Sequence, residues 1–335
     1  AYRSGQAEET MGQEIAQGVL YLKKCVVALR WVERLAALTP LCERMVEAGI
    51  DCRVMLSEEL PQFRRESGFP SKEEQGILYL TDDPQVYADL ASETDREPSV
   101  LIYLHSDNEN QDFGDARYAL EEPEETEPEY LERVYRRCCD LPWEILVTER
   151  CWLRETVEED VDSFWEMYQA PELTRYTERL YPTPEAERGY VRDYRRLVYS
   201  FYEYGVWTVL DRRSGAIVGR AGLSVREGYD LPELGFVIGR KWQGRGLAGE
   251  VCRGILSYAR QQLGFERIQA LVHEENAVSL HLCRELGFRE QKPPAAADIC
   301  SGQQAGEESR IPLVEMEQNG QRERFVYMVS YEPVD

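Results

Sequence analysis

Residues 233–248 read ELGFVIGRKWQGRGLA. The apolar run over residues 234–239 has the length and composition of a strand. It turns through Gln243, Gly244, Arg245 and Gly246. At Leu247 and Ala248 it enters a helical pattern that carries Leu247, Val251, Ile255 and Ala259 on one stripe. A strand, a glycine turn and a helix N-terminus make an anion site. Small residues let the backbone approach a ligand, and the first N–H groups of a helix have no partner inside it. The same glycines also have a plainer use, as a tight strand-to-helix turn.

Working outward, residues 268–273 read as a strand and residues 277–286 as a helix ended by Gly287. Residues 313–317 and 324–331 read as a hairpin turning at Asn319-Gly320. On the other side, residues 206–211 and 216–225 are strands joined by a turn at 212–215. Thr183-Pro184 starts a helix that runs to about Tyr202, with Thr183 as its cap. Residues 157–168 are amphipathic, residues 151–154 a short strand, and Pro142-Trp143 marks the boundary before them. Residues 291–310, rich in Pro, Ala, Gly and Gln, read as a mobile insertion.

Before that boundary the rhythm changes. Residues 1–15 are polar. Helical periodicity runs from near Gly18 through Val26, Leu29, Val32 and Leu35 to Met45, with Gly49 as a C-terminal glycine. Apolar runs at 52–56, 77–80, 100–104 and 116–120 alternate with helical segments such as 84–91. This βαβ pattern predicts a small parallel, Rossmann-like sheet. The expected organisation is therefore an α/β protein with a Rossmann-like domain over 1–142 and a second domain over 143–335. Asp82-Asp83 closes a strand, where open α/β sheets bind ligands. It loosely resembles the acidic strand end of haloacid-dehalogenase-like phosphatases. That chemistry needs a DxD at an earlier strand end, and none lies upstream. Asp160 and Asp162 fit the letters but read as a solvated helix start, and Asp82 and Asp83 as caps of the next helix. The charge run EEPEETEPE at 121–129 reads as a solvated loop. No role is assigned to this first domain.

Composition narrows the function. The formal charge is −23 and the isoelectric point about 4.7, against a nucleic-acid partner, since phosphate binding needs clustered Lys and Arg. An acidic surface favours cationic partners, although solubility alone accounts for it. Nine cysteines without a CxxC pair suggest reduced thiols in a cytoplasm. The three histidines have no partner at metal-ligand spacing, so no metal is expected. No apolar run reaches the length of a membrane span.

Three blocks carry a family resemblance. Gln243-x-x-Gly246-x-Ala248 is the first. Asn276-x-x-Ser279 followed by LCRELGF at 282–288 is the second. TERCWLR at 148–154 is the third. In this order, residues 148–333 resemble the GNAT N-acetyltransferases, within them the branch that acetylates ribosomal-protein N-termini and small amines. The resemblance implies an α+β domain with a mixed, mostly antiparallel sheet. It implies acetyl-CoA as co-substrate, its pyrophosphate on the backbone of Gly244, Arg245, Gly246, Leu247 and Ala248. The exposed backbone of Phe236, Val237 and Ile238 would pair with the pantetheine arm. Asn276 and Ser279 would touch the cofactor, although Asn276 also suits a helix cap. Glu233 is a candidate general base for the acceptor amine, or else an exposed strand-end acid. Cys283 stands where the family often has a proton-donating tyrosine; its thiol would donate weakly or merely pack. Tyr176 and Tyr181 in 172–182, and Tyr229 in the strand end 226–230, are candidate acceptor contacts. The expected reaction is direct acetyl transfer to a primary amine, either a peptide N-terminus or a small cation such as an aminoglycoside or polyamine. The alternatives are a non-catalytic acyl-CoA-binding regulator and an interaction scaffold acting through the first domain.

Overall fold

The computed structural model describes residues 20–67, 76–94, 98–294 and 313–330. Residues 1–15 and most of the expected insertion at 291–310 lie outside them. The chain divides into two compact units, Ala1–Trp143 and Glu144–Asp335.

The first unit is a parallel sheet of β1 (Lys24–Leu29), β2 (Asp51–Leu56), β3 (Ile77–Thr81), β4 (Val100–Tyr103) and β5 (Ala119–Leu120), ordered β2-β1-β3-β4-β5. Its helices are α1 (Thr39–Glu47), α2 (Leu60–Glu66), α3 (Pro84–Ser92) and α4 (Pro128–Cys138). One helix over 18–45 is not what forms. KCVVAL of β1 is buried on both faces between β2 and β3. A strand covered on both faces has no alternation, so Val26 and Leu29 matched a helical stripe by coincidence. Only the distal part is helical: a 3₁₀ segment Val32–Leu38, then α1. Gly49, at φ 82°, ends α1; Ile50 N–H donates to Met45 O at 2.8 Å and Gly49 N–H to Val46 O at 3.0 Å. This is a Schellman turn.

Asp83 caps α3, accepting from Gln85 N–H at 3.0 Å. Asp82 does not cap. It is fully buried, accepts from Arg30 N–H at 2.5 Å and faces His105 Nε2 at 3.2 Å. Burial pushes its pKa up, and the Arg30 N–H and His105 pull the other way. The strand order reverses between β1 and β3, where open α/β sheets take ligands. Here the protein's own carboxylate ties the two strand ends together. β1 is followed by Arg30 and Trp31, so no phosphatase-type DxD precedes Asp82.

The second unit is a mixed, mostly antiparallel sheet. It comprises β6 (Glu144–Val147), β7 (Cys151–Arg154), β8 (Val206–Asp211), β9 (Ile217–Ser224), β10 (Glu233–Ile238), β11 (Ile268–His273), β12 (Phe288–Glu290), β13 (Leu313–Gln318) and β14 (Gln321–Ser330). The order is β12-β14-β11-β10-β9-β8-β7-β6, with β13 on β14. The β13–β14 hairpin turns at Asn319 and Gly320, both at positive φ as a type I′ turn requires. Helices α5 (Val161–Met167), α6 (Pro171–Thr174) and α7 (Pro184–Tyr194) precede β8; α8 (Leu247–Gln261) and α9 (Ala277–Glu285) flank β11. Thr183 caps α7 through Ala186 N–H, and past Tyr194 the helix widens into a π-turn over Arg195–Tyr199. The stripe of α8 (Leu247, Val251, Ile255 and Ala259) packs into the core against β9 and β10.

Asp160 is not solvated. It is 1 % exposed, forks onto Arg154 with both contacts at 2.7 Å, and accepts from Thr208 Oγ1 at 2.7 Å and Val157 N–H at 3.0 Å. The local reading saw an acidic turn, whereas the partners come from β7 and β8. Removing one member of a buried pair strands the other charge. Asp160→Ala is therefore expected to lower the stability of this unit by about 3–5 kcal/mol, read as a lower urea midpoint.

Candidate active site

The site begins at a gap in the sheet. β10 and β11 run parallel but share a single aligned pair, Glu233↔Gln269, with Gln269 N–H donating to Pro232 O at 2.9 Å. Their outer edges are fully paired, β10 with β9 from Glu233↔Ser224 to Ile238↔Gly219 and β11 with β14 from Ile268↔Ser330 to His273↔Phe325. Beyond Glu233 the two strands diverge, leaving the backbone edge of β10 open. Gly219 lets β9 lie close to β10 here, since a Cβ at 219 would overlap the Val237 carbonyl oxygen. The divergence opens a cleft of about 600 Å³. Phe236, Val237, His273, Asn276, Ser279 and Cys283 line it together with Tyr168, Tyr176, Tyr181, Tyr190, Tyr194, Arg220 and Arg226.

The turn after β10 is tied to the strand end, because Gln243 Nε2 donates to Ile238 O at 2.9 Å. Gly244 and Gly246 sit at φ 73° and 74°, a backbone that L side chains adopt at a cost. Gly246 is the N-cap of α8, and no side chain caps that terminus. Its first N–H groups meet no side-chain cap, and the positive end of a 15-residue helix stands behind them. The Arg245 guanidinium lies over the Trp242 ring at 5.2 Å.

A latch from the turn between β6 and β7 holds this turn. Arg150 Nη1 donates to Arg245 O at 2.8 Å and Arg150 Nε to Glu250 Oε2 at 2.6 Å. Thr148 Oγ1 and Arg150 N–H donate to Glu250 Oε1 at 2.6 and 2.7 Å. Desolvation raises the Glu250 pKa, but these hydrogen bonds outweigh it and hold the carboxyl below its usual range. Arg150 and Glu250 were not singled out from the sequence. The TER of TERCWLR was the signal, and its partner lies some hundred residues on.

Glu233 is 7 % exposed, which overturns the reading of a solvated strand-end acid. Arg226 grips it with Nε on one oxygen and Nη2 on the other, the latter at 3.2 Å. Burial pushes the Glu233 pKa up and Arg226 draws it partly back, leaving it raised. Glu233 shares its face of the sheet with Gly235 and Val237, and Val237 stands opposite Arg220. Arg220 lies over the Phe164 ring at 4.9 Å, with Glu187 at 3.7 Å.

Cys283 is fully buried, and burial pushes its thiol up to about 12. It packs in the apolar core. Asn276 is the N-cap of α9, accepting from Ser279 N–H at 3.1 Å, so its capping geometry is met at the wall of the cleft. Tyr176 stacks on His273 at 4.9 Å, and Tyr181, Tyr190 and Tyr194 form a row with ring spacings of 5.2 and 5.6 Å. Tyr229 is misplaced by the sequence reading. It packs on Tyr327 at 5.6 Å beside Leu231 and Met316 and does not line the cleft; Arg226 and Glu227 of the same segment do. Among the described residues no group of three or more His, Cys, Asp or Glu is placed to hold a metal.

A family profile described as "Acetyltransferase (GNAT) domain" matches residues 150–289. The second unit carries a GNAT acetyltransferase domain. An uncharacterised N-acetyltransferase of Bacillus licheniformis is 27% identical to it over 152 residues, 44% of this chain and 84% of its own. The [ribosomal protein uS5]-alanine N-acetyltransferase of Escherichia coli strain K12 is 30% identical over 123 residues, 36% of this chain and 61% of its own. A crystal structure of a GNAT-family acetyltransferase from Bacillus anthracis is 18% identical and covers 57% of this chain and 99% of its own, with a TM-score of 0.44.

Buried thiols with raised pKa react slowly, because the thiolate is the nucleophile. In the native protein at neutral pH, iodoacetamide is expected to leave Cys283 and Cys252 of this acetyltransferase domain unmodified. Both should label after unfolding, as peptide mapping would show.

Proposed function

We propose that the domain transfers the acetyl group of acetyl-CoA directly to a primary amine, without a covalent enzyme intermediate. The observation that carries this reading is the divergence of β10 from β11, which leads into an uncapped helix N-terminus through two left-handed glycines. That arrangement fits an extended arm ending in a pyrophosphate. The N–H groups of residues 244–248 would hold the phosphates. The free edge of Phe236, Val237 and Ile238 would pair with the amide arm as an added strand. An N–H of that edge would face the thioester oxygen and stabilise negative charge as the amine attacks.

Glu233 would receive the amine's proton, directly or through one water. Its raised proton affinity suits a base, and Arg226 fixes its orientation. Cys283 supplies no good acid, so the departing thiolate would take its proton from solvent. The acceptor would enter past the row of tyrosines. Aromatic faces and the carboxylates of Glu178 and Glu233 suit an ammonium, whether of a peptide N-terminus or a small cation. The relative named for alanine N-acetylation of ribosomal protein uS5 favours a peptide N-terminus. The compartment that fits is the cytoplasm, and among the described residues no helix is long and apolar enough to cross a membrane.

The test is thiol release from acetyl-CoA against a panel of amines and peptides, with calorimetric CoA binding alongside. Turnover on at least one acceptor is expected. Binding without turnover on any would favour an acyl-CoA-binding regulator, the reading to which the buried Cys283 lends weight; no CoA binding would remove both. As pH falls through the raised Glu233 pKa the base is protonated, so kcat should fall on the acid side with a midpoint above the ordinary glutamate value of about 4.3. Glu233→Gln should lower kcat on the order of 10²-fold and abolish that limb, with acetyl-CoA affinity little changed. Arg150→Ala should raise KM for acetyl-CoA about tenfold, the scale of one charge-assisted hydrogen bond, while kcat stays near its original value.

A further inference from the structure

The first unit holds a pair of sulfurs that the acetyl-transfer chemistry does not use. Cys42 lies within α1 and Cys52 is the second residue of β2. Their Sγ atoms are 2.8 Å apart, inside ordinary sulfur contact and not far beyond the ~2.05 Å of a covalent S–S bond. The Schellman turn at Gly49 and the bond from Asp51 N–H to Lys23 O at 2.9 Å fix both ends of the segment between them. Both cysteines are half-buried, so a small reagent reaches them. Cys25 stands opposite Cys52 in the β1–β2 register but is buried.

We propose that Cys42 and Cys52 are a reversible dithiol–disulfide site that fastens α1 to β2 when a low-molecular-weight disulfide such as oxidised glutathione is present. The Cys52 thiolate attacks one glutathione sulfur. A mixed disulfide forms and the first glutathione thiolate leaves. Cys42, deprotonated, then attacks Cys52 Sγ and expels the second. Two cysteine thiols are oxidised to one disulfide, oxidised glutathione is reduced by two electrons, and the two protons end on two glutathione thiols.

The rate follows from the surroundings. The hydrogen bond with Cys25, with burial, pushes the Cys52 thiol up to about 12, although the bond with Cys42 lowers it. The bond with Cys52 pushes Cys42 higher still. Little thiolate exists at neutral pH, so the site responds to sustained oxidation and not as a fast redox catalyst. The rate of closure should rise about tenfold per pH unit below that value, in step with the thiolate fraction.

The experiment uses the full chain in oxidised and reduced glutathione buffers, followed by acid quench, unfolding, alkylation and peptide mapping. Two of the nine thiols are expected to escape alkylation, joined in one Cys42–Cys52 cross-linked peptide that dithiothreitol dissolves. Oxidation should raise the melting temperature of the wild type. Cys42→Ser and Cys52→Ser should each fold, lack the cross-link and show no such rise. The proposal is overturned if all nine thiols still alkylate across the alkaline range. Recovery of Cys52 joined to Cys25, or held as a stable glutathione adduct, would equally overturn it.

Discussion

The acetyltransferase domain depends on a hydrogen-bond ladder that stops. Parallel strands ordinarily pair along their whole length, since an unpaired buried N–H or C=O carries a penalty of about 1–3 kcal/mol. β10 and β11 align at Glu233↔Gln269 and then part, while each stays fully paired on its other side. The unpaired edge of β10 borders the cleft. The glycine turn, the uncapped helix and the Arg150–Glu250 latch all lie at the end of this one edge. The lining of the cleft lies at its beginning, beside Glu233.

The polar groups in this region are set by partners on neighbouring elements, some a few residues away and some a hundred. Glu250 lies in the first turn of α8, where Thr148 and Arg150 bind both its oxygens and spread its charge across a hydrogen-bond network. Burial raises the proton affinity of Glu233, and Arg226 moderates that rise while fixing the carboxylate's orientation. Asp160 and Arg154 fix the entry of α5 by the same logic, joined to β8 through Thr208. Such pairs are costly to desolvate and costly to break, so they specify geometry more than they add stability.

How much of this could be read from residues alone follows from range. Thr183 capping α7, Asp83 capping α3, Asn276 capping α9 and Asn319-Gly320 turning a hairpin are local chemistry, and each stands where the residue types place it. The turn over 243–248 was legible because its glycines and helix stripe are contiguous. The divergence of β10 from β11 was not, since nothing in either strand records where its neighbour leaves. β1 was lost to a helical stripe because a strand buried on both faces has no period of two. Tyr229 was misassigned because a tyrosine in a loop near a cleft can face either way, and here it faces β14. The partners of Asp82 and Asp160 arrive from other strands, which makes buried carboxylates look like surface caps.

The central claim is that the open edge of β10 and the glycine turn after it receive one extended ligand. Hydrogen exchange of the full chain with and without CoA tests it most directly. The account predicts slowed exchange at the amides of residues 235–238 and 244–248 together, with the first unit unchanged. Exchange at both stretches that is indifferent to saturating CoA would contradict it, as would protection confined to residues elsewhere in the sheet.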